Sequence, residues 1–329
     1  MDLLSDVISV SRLGKPHSAR VRRCRPFHRK VTQSDSAGFH VVLRGTCWVV
    51  TPGFDPAQLG PGDVVFFPRG SAHALIDRPP LVSVDGGESL SSDIQIEQVD
   101  LTGSADFEDE SSADVVMLCG AYLLDRLCLH PLLDELPEML HFRAEAGTQW
   151  QLRTTLELLG AEVDWGQSGA DAALCALLDL MFLYILRTWL ADSFTHAHPT
   201  GWSAALKDPR IAAALSGIHR EPGKRWTVAA LAHAAGLSRA AFARRFSALL
   251  GQAPAAYLTL WRMIFAIRLM RDSDQSLAEI ALQVGYSSEY AFAHAFKRLH
   301  SISPGAYRRG LKKPGLSSPP IGRALPPAQ

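Results

Sequence analysis

Cysteine is scarce: five residues in 329, at Cys24, Cys47, Cys119, Cys128 and Cys175, none forming a close pair. That spacing argues against a disulfide-stapled secreted fold and suits reduced thiols in a reducing cytoplasm. A secretory start is also lacking, because Met1–Val10 has no long apolar core and carries Asp2 and Asp6. No apolar run of membrane-spanning length is uninterrupted. The longest, from Leu174 to Leu190, contains Asp179 and Arg187, so it reads as a buried helix rather than a membrane span. Net charge is absent too, with 33 Lys+Arg against 33 Asp+Glu. This neutrality hides a division. Residues 207–313 hold 17 basic and 6 acidic side chains, which leaves 16 against 27 for the rest. A basic end of this kind is the electrostatic footprint of a phosphate partner. Hydrophobic content of 47% is ample for packed cores, and the length predicts two or three domains.

The basic end contains one pattern written twice. Thr227-Val228-Ala229-Ala230-Leu231-Ala232, Ala235-Gly236-Leu237-Ser238, Phe242, Phe246, Pro254 and Tyr257 form the first copy. Ser276-Leu277-Ala278-Glu279-Ile280-Ala281, Val284-Gly285-Tyr286-Ser287, Phe292, Phe296, Pro304 and Tyr307 form the second, with one extra residue near Ser287-Ser288. Each copy reads as helix, tight turn, helix. Thr227 and Ser276 are predicted N-caps, and Ser276 with Glu279 has capping-box spacing. Gly236 and Gly285 stand where the first helix stops, and Ser238 and Ser288 cap the second helix. Phe242, Phe246 and Leu249, like Phe292, Phe296 and Leu299, share one helical face. The opposite faces carry Arg239, Ala240, Ala243 and Arg244 in one unit, and Glu289, Tyr290, Ala293, His294 and Lys297 in the other. Small and hydrogen-bonding side chains suit a helix in a major groove.

These residues resemble the paired DNA-binding unit of the AraC/XylS family of bacterial transcription regulators. Trp261-Arg262-Met263, Ala291-Phe292, Phe296-Lys297-Arg298 and Ser303-Pro304-Gly305-Ala306-Tyr307-Arg308 also fit its pattern in order, and the match spans about a third of the chain. The resemblance implies two helix-turn-helix units held by a helix around 258–270, with reading helices about 34 Å apart in successive major grooves. The readers expected are Arg239, Ala240, Ala243 and Arg244, then Glu289, Tyr290, Ala293 and His294. Arg245, Lys297, Arg298 and Arg308 are assigned to phosphates. The partners implied are double-stranded operator DNA and RNA polymerase.

Upstream, Phe39–Leu43, Cys47–Thr51 and Val64–Phe67 read as short strands separated by Arg44-Gly45, Pro52-Gly53 and Gly60-Pro61-Gly62-Asp63. The spacing of Gly62, Pro68, Gly70, His73 and Asp77 resembles the second cupin motif, with Asp77 in place of the usual Asn. In that frame Arg44-Gly45 closes the first motif's hairpin. The first motif's His-x-His should fall near Thr32 and Ser34 and is missing, which argues against a cupin metalloenzyme. No catalytic residues are assigned. An effector-sensing barrel is expected, with His40, Trp48, Phe66 and His73 around a small-molecule or redox effector. The alternative is a metal-binding or redox-responsive regulator, with zinc or another divalent metal on His40, His73 and Cys119 should these converge.

The predicted fold class is α+β: a cupin-like β-barrel, helices, then an all-α domain with two helix-turn-helix units. The expected boundaries are a barrel over 1–147, a helical dimerisation segment over 148–194, a linker over 195–207, the DNA-binding domain over 208–311 and a tail over 312–329. Trp150 to Leu159 reads as a helix ending at Gly160. A long helix from about Asp171 to Ala191 is apolar nearly all round, so a homodimer is expected, with no membrane. His130-Pro131 opens a short helical turn assigned to packing. Asp208-Pro209 starts the first helix of the DNA-binding domain.

Overall fold

A computed structural model defines residues 3–11, 16–79, 113–125, 129–144, 150–165, 167–195 and 200–311. Residues 100–110, which are rich in acidic side chains, the linker histidines His196 and His198, and the expected tail over 312–329 lie outside the described residues. In chain order the elements are α1 (Leu3–Ser11), β1 (His17–Arg23), β2 (His28–Val31), β3 (Ser36–Arg44), β4 (Cys47–Val50), β5 (Ala57–Leu59), β6 (Val64–Phe67), β7 (His73–Ile76) and β8 (Val115–Leu123). They continue with α2 (Pro131–Asp134), β9 (Leu140–Phe142), α3 (Trp150–Trp165), α4 (Ala170–Thr195), α5 (Trp202–Lys207) and α6 (Pro209–Arg220). The last six are α7 (Val228–Ala234), α8 (Arg239–Leu250), α9 (Pro254–Asp272), α10 (Leu277–Gln283), α11 (Glu289–His300) and α12 (Pro304–Leu311). The chain forms two compact units. One joins Met1–Ser11, Asp125–Glu135 and Ser193–Gln329, and the other joins Arg12–Leu124 and Leu136–Asp192.

The sheet-rich unit has a five-stranded sheet in the order β1-β8-β3-β6-β9 and a four-stranded sheet in the order β2-β7-β4-β5. The expected strands are present as β3, β4 and β6. The two sheets do not close into a barrel. They face each other across one core, in which Val42, Val65 and Met117 of the first sheet meet Cys47, Val49 and Leu75 of the second. Arg44-Gly45 does not close a hairpin. It is a corner at which the chain leaves one sheet for the other, since β3 pairs with β6 and β8 while β4 pairs with β5 and β7. Gly45 has φ +78° there, and a Cβ would sit 2.1 Å from the Asp114 carbonyl oxygen, so only glycine fits.

Two helices cover the outer face of the five-stranded sheet. Helix α3 runs through Gly160 instead of ending there, because Gly160 is buried within the helix, against Leu43. Helix α4 is long and apolar enough to cross a membrane by composition alone, but Leu178, Met181, Phe182, Ile185 and Leu186 are buried in this unit. Phe182 packs on Phe66 and Tyr122, and the Tyr122 hydroxyl donates to the Leu178 carbonyl at 2.6 Å. The half-exposed Leu174, Leu177, Leu180 and Leu183 lie elsewhere on the helix.

The helical unit departs from the expected boundaries. Residues 3–11 and the turn around His130 belong to it and not to the sheets. Part of the expected linker is helix α5, because Trp202 is 1% exposed and the Trp202 amide donates to Glu135 at 2.8 Å. A polar chain crosses the core. The Leu132 amide donates to His130 Nδ1, which leaves the opposite Nε2–H to donate to the Tyr257 hydroxyl at 3.0 Å. Tyr257 donates on to His219 Nε2 at 2.6 Å, and His219 Nδ1 lies 3.3 Å from Asp6. His219 also stacks on Trp261, with ring centroids 3.7 Å apart. The Tyr307 hydroxyl donates to Asp125 at 2.8 Å. Sequence periodicity gave no sign that Asp6 and Asp125 serve this core.

Candidate nucleic-acid interface and sensor core

Each helix-turn-helix is built from caps and two buried rings. Thr227 accepts from the Ala230 amide, and Ser238 accepts from the Ala241 amide. Ser276 and Glu279 form the full capping box, and Ser288 accepts from the Ala291 amide. These bonds satisfy donors that a helix start leaves free. Gly236 and Gly285 have φ +62° and +83°, as the turn requires. Phe242, Phe246, Phe292 and Phe296 are all 0% exposed. The third member of that face is less regular: Leu299 is 40% exposed and Leu249 half-buried. Between the units runs α9, with Tyr257, Trp261, Met263, Ile264 and Ile267 buried. Its Arg262 donates to the carbonyls of Pro222 and Lys224 at 2.9 and 2.8 Å, fastening the loop before α7.

With the phenylalanines inward, the opposite faces of α8 and α11 are turned outward. Arg239, Ala240 and Arg244 are exposed on α8, and Glu289, Tyr290 and His294 on α11; Ala243 and Ala293 are partly covered. Tyr290 is 83% exposed, an unusual position for an aromatic ring without a partner. Lys297 and Arg298 are exposed. Two others are placed differently. Arg245 makes an ion pair with Asp208, whose carboxylate also caps α6 by accepting from the Arg210 and Ile211 amides. Burial opposes ionisation of Asp208, but these bonds outweigh it and hold its pKa below the usual range. Arg308 is half-buried, with Nε and Nη2 shielded from solvent and without hydrogen-bond partners. A pattern of charges along a helix does not reveal such tertiary partners.

In the sheet-rich unit, His40, His73 and Cys119 do come together. The Cys119 thiol lies 3.0 Å from His40 Nδ1, His40 Nε2 lies 2.7 Å from His73 Nε2, and His73 Nδ1 lies 2.8 Å from the Ser71 carbonyl. Because that carbonyl can only accept, the bonds run one way: S–H to His40, His40 N–H to His73, and His73 N–H to Ser71. Burial lowers the pKa of both histidines, with His73 down to about 4, and raises Cys119 to about 11. All members of the chain are therefore neutral at pH 7. The three donors surround the His40 ring and do not share a common point, so they do not fit one metal ion. Among the described residues no group of three His, Cys, Asp or Glu side chains is arranged to hold a metal. The redox alternative also lacks support, since the Cys47 thiol is buried and pushed up to about 12, far from a reactive thiolate.

The expected effector pocket is split. His40 and His73 face the core between the sheets. Phe66 is on the opposite face of β6, packed on Tyr122 and Phe182, and Trp48 points away from the buried Cys47 and Val49. Strand alternation is the reason, because a change of one residue reverses the side. A cleft of about 380 Å³ lies between the outer face of the five-stranded sheet and α3. Val41, Leu43, Val64, Phe142, Trp150 and Leu156 help to line it.

Comparison with known proteins agrees with this architecture. A family model described as "Cupin" matches residues 2–191, and one described as "Helix-turn-helix domain" matches residues 231–310. A "Putative AraC-like transcription regulator" from Streptomyces lividans is 33% identical over 310 residues, covering 94% of this chain and 98% of that one. The "HTH-type transcriptional regulator AlkR" of Acinetobacter baylyi is 29% identical over 324 residues, covering 94% and 99%. Among solved structures, an AraC-type DNA-binding protein from Chromobacterium violaceum aligns at 26% identity and a TM-score of 0.32, covering 34% of this chain and 99% of that one. The chain belongs to the AraC-like family of DNA-binding transcription regulators, with a cupin domain ahead of its paired helix-turn-helix units.

Proposed function

We propose that this regulator is an effector-responsive activator. In this reading the sheet-rich unit senses a small molecule, α3 and α4 pair two copies, and α8 and α11 read an operator beside a promoter and present the protein to RNA polymerase. The observation that carries the DNA-reading part is the orientation of α8 and α11. Four phenylalanines are fully buried, which leaves Arg239, Arg244, Glu289, Tyr290 and His294 in solvent. Arg244 is assigned to bidentate guanine recognition, with Arg239 beside it. Tyr290 and His294 read the second half-site, and Glu289 accepts from a cytosine amino group. Lys297 and Arg298 hold phosphates.

Exposed Trp150 and Leu158 on α3, with the half-exposed leucines of α4, support pairing of two copies. A monomer at high concentration in sedimentation, also binding DNA as a monomer, would remove that part. The base-reading assignment is tested by gel shift against DNA upstream of the protein's own locus. Arg244→Ala should cost about 1–3 kcal/mol on cognate DNA and relax one position, whereas Lys297→Ala should weaken all sequences alike. Equal losses on cognate and random DNA for Arg244→Ala refute its role.

A further inference from the structure

The two helix-turn-helix units contain equivalent tyrosines, each three residues after the proline that opens the following helix: Pro254 with Tyr257, and Pro304 with Tyr307. Both rings are buried, Tyr257 against Phe246 and Tyr307 against Phe296. Their hydroxyls are met by one stretch of chain. The Tyr307 hydroxyl donates to Asp125 at 2.8 Å, and His130 Nε2 donates to the Tyr257 hydroxyl at 3.0 Å. These two partners are five residues apart, a reach of at most about 18 Å. The stretch is itself anchored. The Asp125 amide donates to the Ser11 carbonyl at the end of α1, Leu132 and Leu133 are buried, and Glu135 accepts from the Trp202 amide. In sequence it lies between strands β8 and β9 of the sheet-rich unit, yet it packs in the helical one. Asp125 is 4% exposed. Taking a carboxylate out of water is costly, so its gain is sought in geometry rather than in stability.

We propose that Asp125 and His130 form a clamp that fixes the angle between the two reading helices, which makes them positioning residues for DNA recognition. This rests on reading α8 and α11 as the base-contacting helices. Helix α9 joins the two units, but one connection leaves a rotation about the link between Asp272 and Leu277. A second connection, made at the equivalent tyrosine of each unit, removes that rotation. Asp125 also acts through its charge on His300, in the last turn of α11. Two helices in successive major grooves need the angle fixed, because each base pair turns the groove by about 35°.

The experiment is binding of the full-length protein to three duplexes: an operator selected from random sequence by the unaltered protein, that operator with one base pair inserted between the segments read by α8 and α11, and random duplex. The unaltered protein should lose about tenfold or more in affinity on insertion. Asp125→Ala should bind the selected operator about tenfold more weakly, lose less than about threefold on insertion, and bind random duplex unchanged. Tyr307→Phe should match it, and the double variant should be no worse than either alone. Asp125→Asn, which keeps an acceptor for the tyrosine, should recover most of the spacing preference, and His130→Leu should relax it. Variants that keep the full penalty for insertion, or that lose equally on selected and random duplex, overturn the clamp. Should Asp125→Ala fail to fold, Tyr307→Phe, which removes a single hydroxyl, decides alone. An unaltered protein indifferent to the insertion refutes the paired-reader reading and the clamp with it. Spacing sensitivity shared by the unaltered protein and the variants refutes the clamp alone.

Discussion

Gly236 and Gly285 hold the same place in the two helix-turn-helix units, yet only one is walled in. A Cβ on Gly236 would meet nothing within 4 Å, whereas on Gly285 it would lie 2.6 Å from Arg262 Nη2 and 2.8 Å from the Gly223 carbonyl oxygen. The first unit needs glycine only for its positive φ. The second needs it also because α9 and the loop before α7 press against its turn. Other differences point the same way. The second unit has a complete capping box where the first has Thr227 alone. It also has Asp125 on Tyr307. At the C-terminal ends, Gly251 and Ser301 adopt the same left-handed conformation, φ +67° and +62°, but only glycine does so without strain. A duplicated sequence has thus been fitted to two different surroundings.

The largest expected effect tests the walled turn. Gly285→Ala should destabilise by about 3 kcal/mol, from positive-φ strain plus overpacking, whereas Gly236→Ala should cost about 1 kcal/mol from strain alone. Chemical denaturation of both variants checks this, and equal losses would mean that Arg262 yields freely.

Next is acid sensitivity. His300 in the second unit corresponds to Leu250 in the first. Burial lowers the His300 pKa to about 4 from 6.5, although Asp125 acts in the opposite direction. As pH falls below 6.5 the unfolded chain takes up a proton that the folded chain refuses until about 4, so stability is lost across that window. His300→Leu should remove about 1 kcal/mol of the loss between pH 7 and 5, after allowance for partial exposure. Denaturation at the two pH values reads this as a flatter slope, while the other buried histidines leave a shared background in both proteins. An unchanged slope would mean that His300 titrates normally.

The smallest effect concerns the helix ends. Ser301→Gly should stabilise by about 0.5–1 kcal/mol and Gly251→Ser should destabilise by a similar amount, as melting temperatures would show. A neutral Ser301→Gly would place the strain elsewhere.

Much of the helical unit was legible because its signals are local. Caps, turn glycines and phenylalanines four residues apart act within one or two helical turns, and all are where the sequence put them. The charged side chains were legible only in part. Lys297 and Arg298 face solvent, but Arg245 has found Asp208, 37 residues away in sequence. In the sheets, strand positions were readable but their sides were harder to assign. Phe66 was grouped with His40 and His73, although on β6 it is the neighbouring Phe67 that faces them. Arg29, buried on β2, lies in a strand that the sequence pattern did not single out.

By itself the sequence determined the paired helix-turn-helix units, the basic face and the family, because short-range periodicity and capping chemistry suffice for these. Only the tertiary structure decided which distant side chains meet: Asp6 with His219, Asp125 with Tyr307, and Arg29 in the core with His40, His73 and Cys119. The physical reason is that burial and pairing are properties of surroundings assembled from segments far apart in the chain, and one-dimensional spacing does not encode those neighbours.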